Sequence, residues 1–268
     1  MQKLTGKIEE IRYYSCGYCV NDLHLVFRSH KRKRVIFPAG VFLIKHSDLG
    51  YILYDTGYST KIYGCGIKGI FYNALNPTTI TNTMEIDKQL ERDGIAPNKI
   101  KTVILSHLHP DHIGGLYHFP NANIIASCQE MELYSNRLKS LLIFKKLLPV
   151  WFSEKRVKTV DLTPYKWKAF KNAPEIKMTV LPGHSGGQLC LMIDNKIFLG
   201  ADTCWGKEYL GEQLTPIARI IQDDMGAYNN TIKYLKRLDS EGIDMYFSHD
   251  RTHNKILYKK PEDRQSRE

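Results

Sequence analysis

Ser106-His107-Leu108-His109-Pro110-Asp111-His112 follows the apolar run Val103-Ile104-Leu105 and leads into Ile113-Gly114-Gly115. Four metal-capable side chains fall within six residues. A helix would scatter them around its circumference, and a strand would send alternate ones to opposite faces. A turn at the mouth of a buried strand can aim all four at one point, and Pro110 with the glycine pair favours a turn. Histidine and aspartate together suit zinc, with iron and manganese as other divalent metals for this donor set. The competing reading is a polar loop that happens to hold three histidines.

Further ligand-type residues in similar settings weigh against that reading. His184 sits in the glycine-rich turn Leu181-Pro182-Gly183-His184-Ser185-Gly186-Gly187. Asp202 closes the apolar run Phe198-Leu199-Gly200-Ala201, and His249 follows Met245-Tyr246-Phe247-Ser248. Each time an apolar run stops and a ligand-type residue appears at its mouth, on a loop that a sheet can position. Seven such residues are too many for one tetrahedral zinc and suit two metals sharing a bridge.

The pattern H-x-H-x-D-H followed by a distant His, Asp and His resembles the metallo-β-lactamase superfamily, in family order and over most of the chain. The resemblance implies an α/β fold, the αββα four-layer sandwich in which two mixed sheets pack face to face with helices outside. It implies one metal on His107, His109 and His184, a second on Asp111, His112 and His249, and Asp202 bridging both. Tyr54-Asp55-Thr56-Gly57 resembles the superfamily's early D-T-G turn. A carboxylate at Asp55 can hold a ligating imidazole in one tautomer. The second signature position is His109 rather than glutamate, which resembles the di-zinc hydrolases and not the flavo-diiron oxygen reductases.

The chain has 268 residues, 43% of them hydrophobic, and a net charge of +10. That is core enough for one domain, and no Pro/Gly/Ser linker divides it, so residues 1–268 are read as a single domain. The positive charge gathers partly in Lys31-Arg32-Lys33-Arg34, expected as a solvated hairpin tip between Leu25-Val26-Phe27 and Val35-Ile36-Phe37, and in the C-terminal tail. Neither cluster is interleaved with the metal motifs, which argues against nucleic acid. Cys16-Gly17-Tyr18-Cys19 has no second pair to make a zinc ribbon, so its thiols are read as ordinary ones. No signal peptide or spanning run is visible, and Lys145, Lys146 and Pro149 interrupt the run Leu141 to Phe152. The expectation is a cytoplasmic protein with no membrane partner.

Lys7 to Tyr14, Leu23 to Phe27, Val35 to Lys45 and Tyr51 to Tyr54 read as strands. Tyr58 to Pro77 shows no clean period and is expected to be an aromatic-rich loop. Thr83 to Asp93 reads as a helix, Lys99 to Leu105 and Asn123 to Ser127 as strands. Gln129 to Leu148 reads as helical, with Leu133, Leu138, Leu141, Leu142 and Leu147 among lysines, and suggests a helical insertion near 129–152. Its apolar surface needs the core, a substrate tail or a second subunit of a homodimer as partner. Glu175 to Leu181, the hairpin Gln188 to Leu199 and Ile243 to Phe247 are strands, and Asp224 to Leu238 is an amphipathic helix. His118 is read as a packing or surface residue.

Two zinc ions about 3.5 Å apart can share a water and lower its pKa toward neutrality, giving a bridging hydroxide that attacks a carbonyl or phosphoryl centre. Asp111, on one metal only, can carry a proton to the leaving group. The seven-ligand set, the apolar hairpin before Asp55 and the Gly183-His184-Ser185 turn resemble the N-acyl-homoserine lactonase branch. That branch places a tyrosine three residues after the bridging aspartate. Here Trp205 stands there, with Tyr209 one turn on, and both are candidate pocket residues. The expected activity is hydrolysis of a small ester or lactone. A phosphodiesterase or nuclease, or a glyoxalase-type thioester hydrolase, is the alternative on the same residues.

Overall fold

Val41, Phe42, Leu43 and Ile44 are all buried, yet they do not share a core. Phe42 and Ile44 enter a layer with Ile52, Tyr54, Ile104, Met178, Leu189 and Leu191. Val41 and Leu43 face the other way, among Leu53, Ile86, Leu90, Val103 and Ile124. A strand covered on both faces reads as a continuous apolar run, because alternate side chains find different partners.

The structure is a computed structural model that describes Leu4 and residues 6–136, 142–211 and 218–261. The first half comprises β1 (Ile8–Asp22), α1 (Leu23–Val26), β2 (Arg34–His46), β3 (Gly50–Tyr54), α2 (Gly66–Leu75), β4 (Thr78–Thr79), α3 (Ile86–Arg92), β5 (Ile100–Ile104) and α4 (Pro110–Ile113). The second comprises β6 (Asn123–Ser127), α5 (Cys128–Ser135), β7 (Val157–Val160), β8 (Lys168–Phe170), β9 (Ala173–Val180), β10 (Leu189–Ile193), β11 (Ile197–Leu199), α6 (Met225–Ser240), β12 (Asp244–Tyr246) and β13 (Ile256–Lys259).

One sheet runs β13-β1-β2-β3-β5-β6-β7 with β4 paired to β1, and the other runs β12-β11-β10-β9-β8. Both are mixed, because β3, β5, β6 and β7 pair in parallel and so do β11 and β12. The second sheet's outer face, Cys190, Met192, Phe198 and Met245, packs beneath Ile232, Leu235 and Leu238 of α6. Asp224 caps that helix by accepting from the Ala227 N–H at 2.9 Å. Three apolar interlayers therefore separate four layers, the αββα sandwich of the metallo-β-lactamase fold, as the sequence resemblance implies.

Register brings the strand mouths to one rim. Tyr54 lies opposite Ile104, Val180 opposite Leu189, and Leu199 opposite both Leu191 and Tyr246. Two hydrogen bonds join the sheets there. The Leu189 N–H donates to Ser106 O at 2.8 Å, and the Tyr54 hydroxyl donates to Leu189 O at 2.7 Å. Ile193 pairs with Ile197, so the β10–β11 hairpin turns on Asp194-Asn195-Lys196, the first two with positive φ and the Lys196 N–H closing onto Ile193 O at 3.0 Å.

Three sequence expectations are corrected. Leu23 to Phe27 is not a strand: Asp22 accepts from the backbone N–H of His24 at 2.9 Å and of Lys33 at 3.2 Å, which starts the one-turn α1 and closes the excursion. Lys31 to Lys33 thus lie on an exposed connection, and Arg34 already pairs with Asp22 in β2. Tyr58 to Pro77 is not an aperiodic loop but a 3-10 turn over Thr60–Gly64 followed by α2. The helix read over Gln129 to Leu148 ends at Ser135, where the Asn136 N–H bonds back to Glu132 O and Leu133 O. Leu138 and Leu141 lie outside the described residues. From 142 to 152 the chain makes turns, with Ile143, Phe144, Leu147 and Phe152 buried.

Leu191 sits in the interlayer between the sheets with no exposed surface. Leu191→Ala should destabilise the fold by about 2–5 kcal/mol, whereas Val150→Ala on the surface should stay within about 0.5 kcal/mol. Urea denaturation of the metal-loaded proteins checks both.

Candidate metal centre

β5 ends at Ile104, and the backbone then turns through Ser106–His109 into the single turn of α4, with Pro110 at its first position. The Asp55 turn packs directly against this segment. A Cβ on Gly114 would fall 2.6 Å from Ser59 N and 2.7 Å from Gly57 O, so only glycine permits the approach. Asp55 itself has φ 66°, a left-handed conformation that aspartate tolerates better than most residues.

All seven residues singled out by the sequence converge. Ligand-type atoms of His107, His109 and His184 lie within 4.8 Å of one another, and so do those of Asp111, His112, Asp202 and His249. His184 Nε2 is 3.0 Å from His109 Nδ1. Asp202 reaches both groups, with Oδ2 2.9 Å from His249 Nε2 and 3.3 Å from His184 Nε2, and Oδ1 3.3 Å from His112 Nε2. Asp111 Oδ2 stands farther off, 3.6 Å from both His112 Nε2 and His249 Nε2. His107 Nε2, His112 Nε2, His184 Nδ1 and Asp202 Oδ1 are buried without a hydrogen-bond partner. Bare Nε2 atoms of His107 and His112 and a bare Asp202 oxygen at the junction of the two groups fit a divalent cation, because each such buried atom left alone costs about 1–3 kcal/mol.

Burial, with neighbouring imidazoles adding to it, drives the His107 pKa well below its ordinary value and takes His109 and His184 down to about 3. These three rings are held neutral, as metal ligation needs. Burial pushes the other way on Asp202, but His249 and His112 outweigh it and hold the carboxylate ionised. His112 and His249 are correspondingly raised, since their carboxylate neighbours outweigh burial.

The outer atoms of the rings are fixed. His112 donates through Nδ1 to Asp55 Oδ2 at 2.8 Å, and His249 donates through Nδ1 to Pro38 O at 2.7 Å. Each bond commits one nitrogen and aims Nε2 inward. Asp55 also receives the Ser106 N–H and hydroxyl, both at 2.7 Å. With its proton on Asp55, the Ser106 oxygen accepts from His107 Nδ1 at 2.9 Å. Ser106 is therefore more than the turn residue its sequence position suggests.

Glu130 went unnoticed in the sequence. Ser127-x-x-Glu130 has the spacing of a helix-capping box, and Ser127 does accept from the Glu130 N–H at 3.1 Å. The Glu130 carboxylate, however, accepts from Leu108 N–H at 2.9 Å and from the Ser185 hydroxyl, tying the two histidine turns together. Burial raises its pKa to about 7 despite those donors.

Trp205 lies against the site, its ring 4.6 Å from that of His249, with its indole N–H buried and without a partner. Tyr209 is one layer out, stacked on Phe27 at 4.0 Å. Outside the centre, His118 Nε2 lies 2.9 Å from Glu85 and 3.1 Å from Asp87. Glu85 also accepts from the Thr60 N–H and hydroxyl and from Tyr117, so this knot anchors the turn that leads to α2.

Residues 37–200 match the profile of the metallo-beta-lactamase superfamily. The chain belongs to that superfamily. An N-acyl homoserine lactonase, AiiB of Agrobacterium fabrum, is 26% identical over 228 residues, 80% of each protein. The N-acyl homoserine lactonase of Bacillus thuringiensis is 25% identical over 255 residues, 91% of this chain and 94% of that one. Among solved structures, an N-acyl homoserine lactone hydrolase with N-hexanoyl-L-homoserine bound at its catalytic metal centre superposes with a TM-score of 0.74 at 25% identity, over 91% and 94% of the two chains. This metallo-beta-lactamase superfamily member is a metallo-hydrolase with lactonase relatives.

Asp55→Asn keeps the shape of the turn but removes the charge that holds the His112 N–H. Metal affinity should fall about 10–100-fold while the fold persists. Competition with a chromophoric chelator, alongside circular dichroism, measures both.

Proposed function

We propose that this protein hydrolyses a small ester or lactone, N-acyl homoserine lactones foremost, at a two-zinc centre. His107, His109 and His184 would hold one ion and Asp111, His112 and His249 the other, with Asp202 placed to serve both. The observation that carries this reading is the reach of one carboxylate, Asp202, to ring nitrogens of both groups at 2.9–3.3 Å. Two divalent cations at such a centre supply a water activated near neutral pH and polarise the electrophilic oxygen.

The chain's own residues complete the reaction. Asp111, whose Oδ2 stands 3.6 Å from its nearest imidazoles, would take the proton released as water oxygen bonds to the carbonyl carbon and return it to the alkoxide oxygen as the C–O bond breaks. Trp205 offers an unpartnered indole N–H beside His249 as a hydrogen-bond donor to the substrate carbonyl. An indole donates a hydrogen bond but does not supply a proton as a phenol can, so proton delivery falls to Asp111. Trp205 and Tyr209, each with a small exposed edge and backed by the buried Phe27 and Phe37, would supply the aromatic wall for an acyl chain. The likeness to two lactonases over most of their length supports this substrate class. Six free cysteines, five of them buried, suit a reducing compartment, and the proposal includes a single domain working in the cytoplasm.

Zinc-loaded protein should turn over acyl-homoserine lactones and aryl esters faster than bis-p-nitrophenyl phosphate or S-lactoylglutathione in a side-by-side rate assay. Turnover of the phosphodiester alone would overturn the substrate class. His109→Ala should abolish turnover and lose bound metal with the far-ultraviolet spectrum intact. Undiminished turnover by that variant would overturn the ligand assignment.

A further inference from the structure

Helix α2 is amphipathic in the wrong sense for a soluble surface. Ile67, Ile70, Phe71, Ala74 and Leu75 form one stripe at helical spacing, and that stripe faces outward. Ile67 is 87% exposed, Ile70 71%, Phe71 66% and Leu75 57%. The inner side is taken up by Gly69, packed against Ile62 O, and by Tyr72, whose hydroxyl meets that of Tyr58 at 2.8 Å. Among the described residues, seven of the ten strongly exposed large apolar ones fall in the short stretches 63–75 and 142–150. These stretches adjoin: Lys68 Nζ donates to Ile143 O at 2.9 Å, and the Tyr72 and Phe144 rings lie 5.2 Å apart. A clustered apolar patch of this kind marks an interaction surface rather than scattered exposure.

Within the two stretches the charge has one sign. From Tyr58 to Met84 the sequence holds two lysines and no carboxylate, and from Leu142 to Ser153 two lysines and no carboxylate. Lys61, Lys145 and Lys146 are exposed. A second copy of the chain fits poorly, because a two-fold interface would press one lysine-rimmed patch against another. Apolar side chains ringed by lysines fit a surface that is greasy within and negative at its rim.

We propose that α2 and the 142–150 turns form a peripheral docking face for anionic lipid bilayers. Ile67, Ile70 and Phe71 enter the acyl boundary, and Lys145 and Lys146 meet the anionic headgroups. The sequence expectation of no membrane partner rested on the lack of a spanning segment. Among the described residues no helix is long and apolar enough to cross a membrane, but lying on one requires no such helix.

The test is co-sedimentation of the full chain with vesicles of equal parts phosphatidylglycerol and phosphatidylcholine, against vesicles of phosphatidylcholine alone. The wild type should sediment with the anionic vesicles only, and less so as salt screens the surface. The triple variant I67S/I70S/F71S keeps the charge, and its partition should fall ~1,000-fold, at roughly tenfold for each of the three side chains withdrawn from the lipid. K145E/K146E should lower it about tenfold or more, and R32E/K33E, on the β1–β2 connection, should leave it unchanged. Circular dichroism establishes that each variant is folded. Wild type left in the supernatant at low salt overturns the proposal. So does a triple variant that sediments like wild type, which would make binding a matter of net charge. So does light scattering that shows I67S/I70S/F71S abolishing a dimer with no effect on vesicles. The readout is partition, not turnover, so its outcome is independent of the substrate proposed above.

Discussion

Asp202 carries a negative charge into a pocket walled by imidazoles, and the architecture around it is arranged so that this charge has no escape. Its oxygens meet His112, His184 and His249, yet Oδ1 receives no hydrogen bond. Burial alone would protonate such a carboxylate, and the two histidines beside it prevent that. On the far side, His107, His109 and His184 are driven neutral. The pocket therefore divides into a neutral nitrogen-rich half and a charged half with carboxylates, joined by a single side chain. A divalent cation at this junction would satisfy more bare atoms than a rearrangement of protons can, because a proton fills one gap between two heavy atoms whereas a cation faces four or more.

Holding unsatisfied groups together demands a scaffold that does not yield. The loops gain that rigidity from the strands that precede them, whose mouths register at one rim, and from bonds that cross between sheets at Ser106, Leu189 and Tyr54. Left-handed backbone occurs at Asp55 and at Ala201, immediately before Asp202. Unfavourable φ values of this kind persist where surrounding packing dictates them. Glu130 adds a further tie, a buried carboxylate whose two oxygens hold neighbours of His107, His109 and His184 in fixed relation.

The sequence made the candidate ligands legible because they stand at the mouths of apolar runs. Asp111, His184, Asp202 and His249 stand just past residues that have no freedom to be anywhere but in the core. Asp55 was legible for the same reason. Ser106 and Glu130 were not, since a serine in a turn and a glutamate in a capping box each already have a local explanation, and only tertiary contact shows where their side chains go. The leucines after Gln129 misled for a related reason. A spacing of three or four apolar residues describes a helix, but it equally describes turns that drop Ile143, Phe144 and Leu147 one by one into the core. Helix α2 failed in the opposite direction: with its apolar stripe turned outward and glycines at 64, 66 and 69, it offers no conventional buried face to detect.

That inversion joins the outer surface to the centre. Tyr72 on the inner side of α2 is bonded to Tyr58, and both phenols are raised first by burial and then by the charge of Asp111. The Glu85–His118 knot fastens the turn at Thr60 to the segment that follows the metal loop. A helix fixed at its inner face in this way has little freedom to roll its apolar stripe inward, because doing so would break the tyrosine pair and expose Gly69, whose missing side chain is what lets the helix sit against Ile62. The exposed stripe is thus enforced by the same contacts that tie α2 and the Thr60 turn to the segment after the histidine loop. A selective pressure on those contacts alone would have left polar residues free to occupy positions 67, 70 and 71. Their being apolar points to a surface that needs them so.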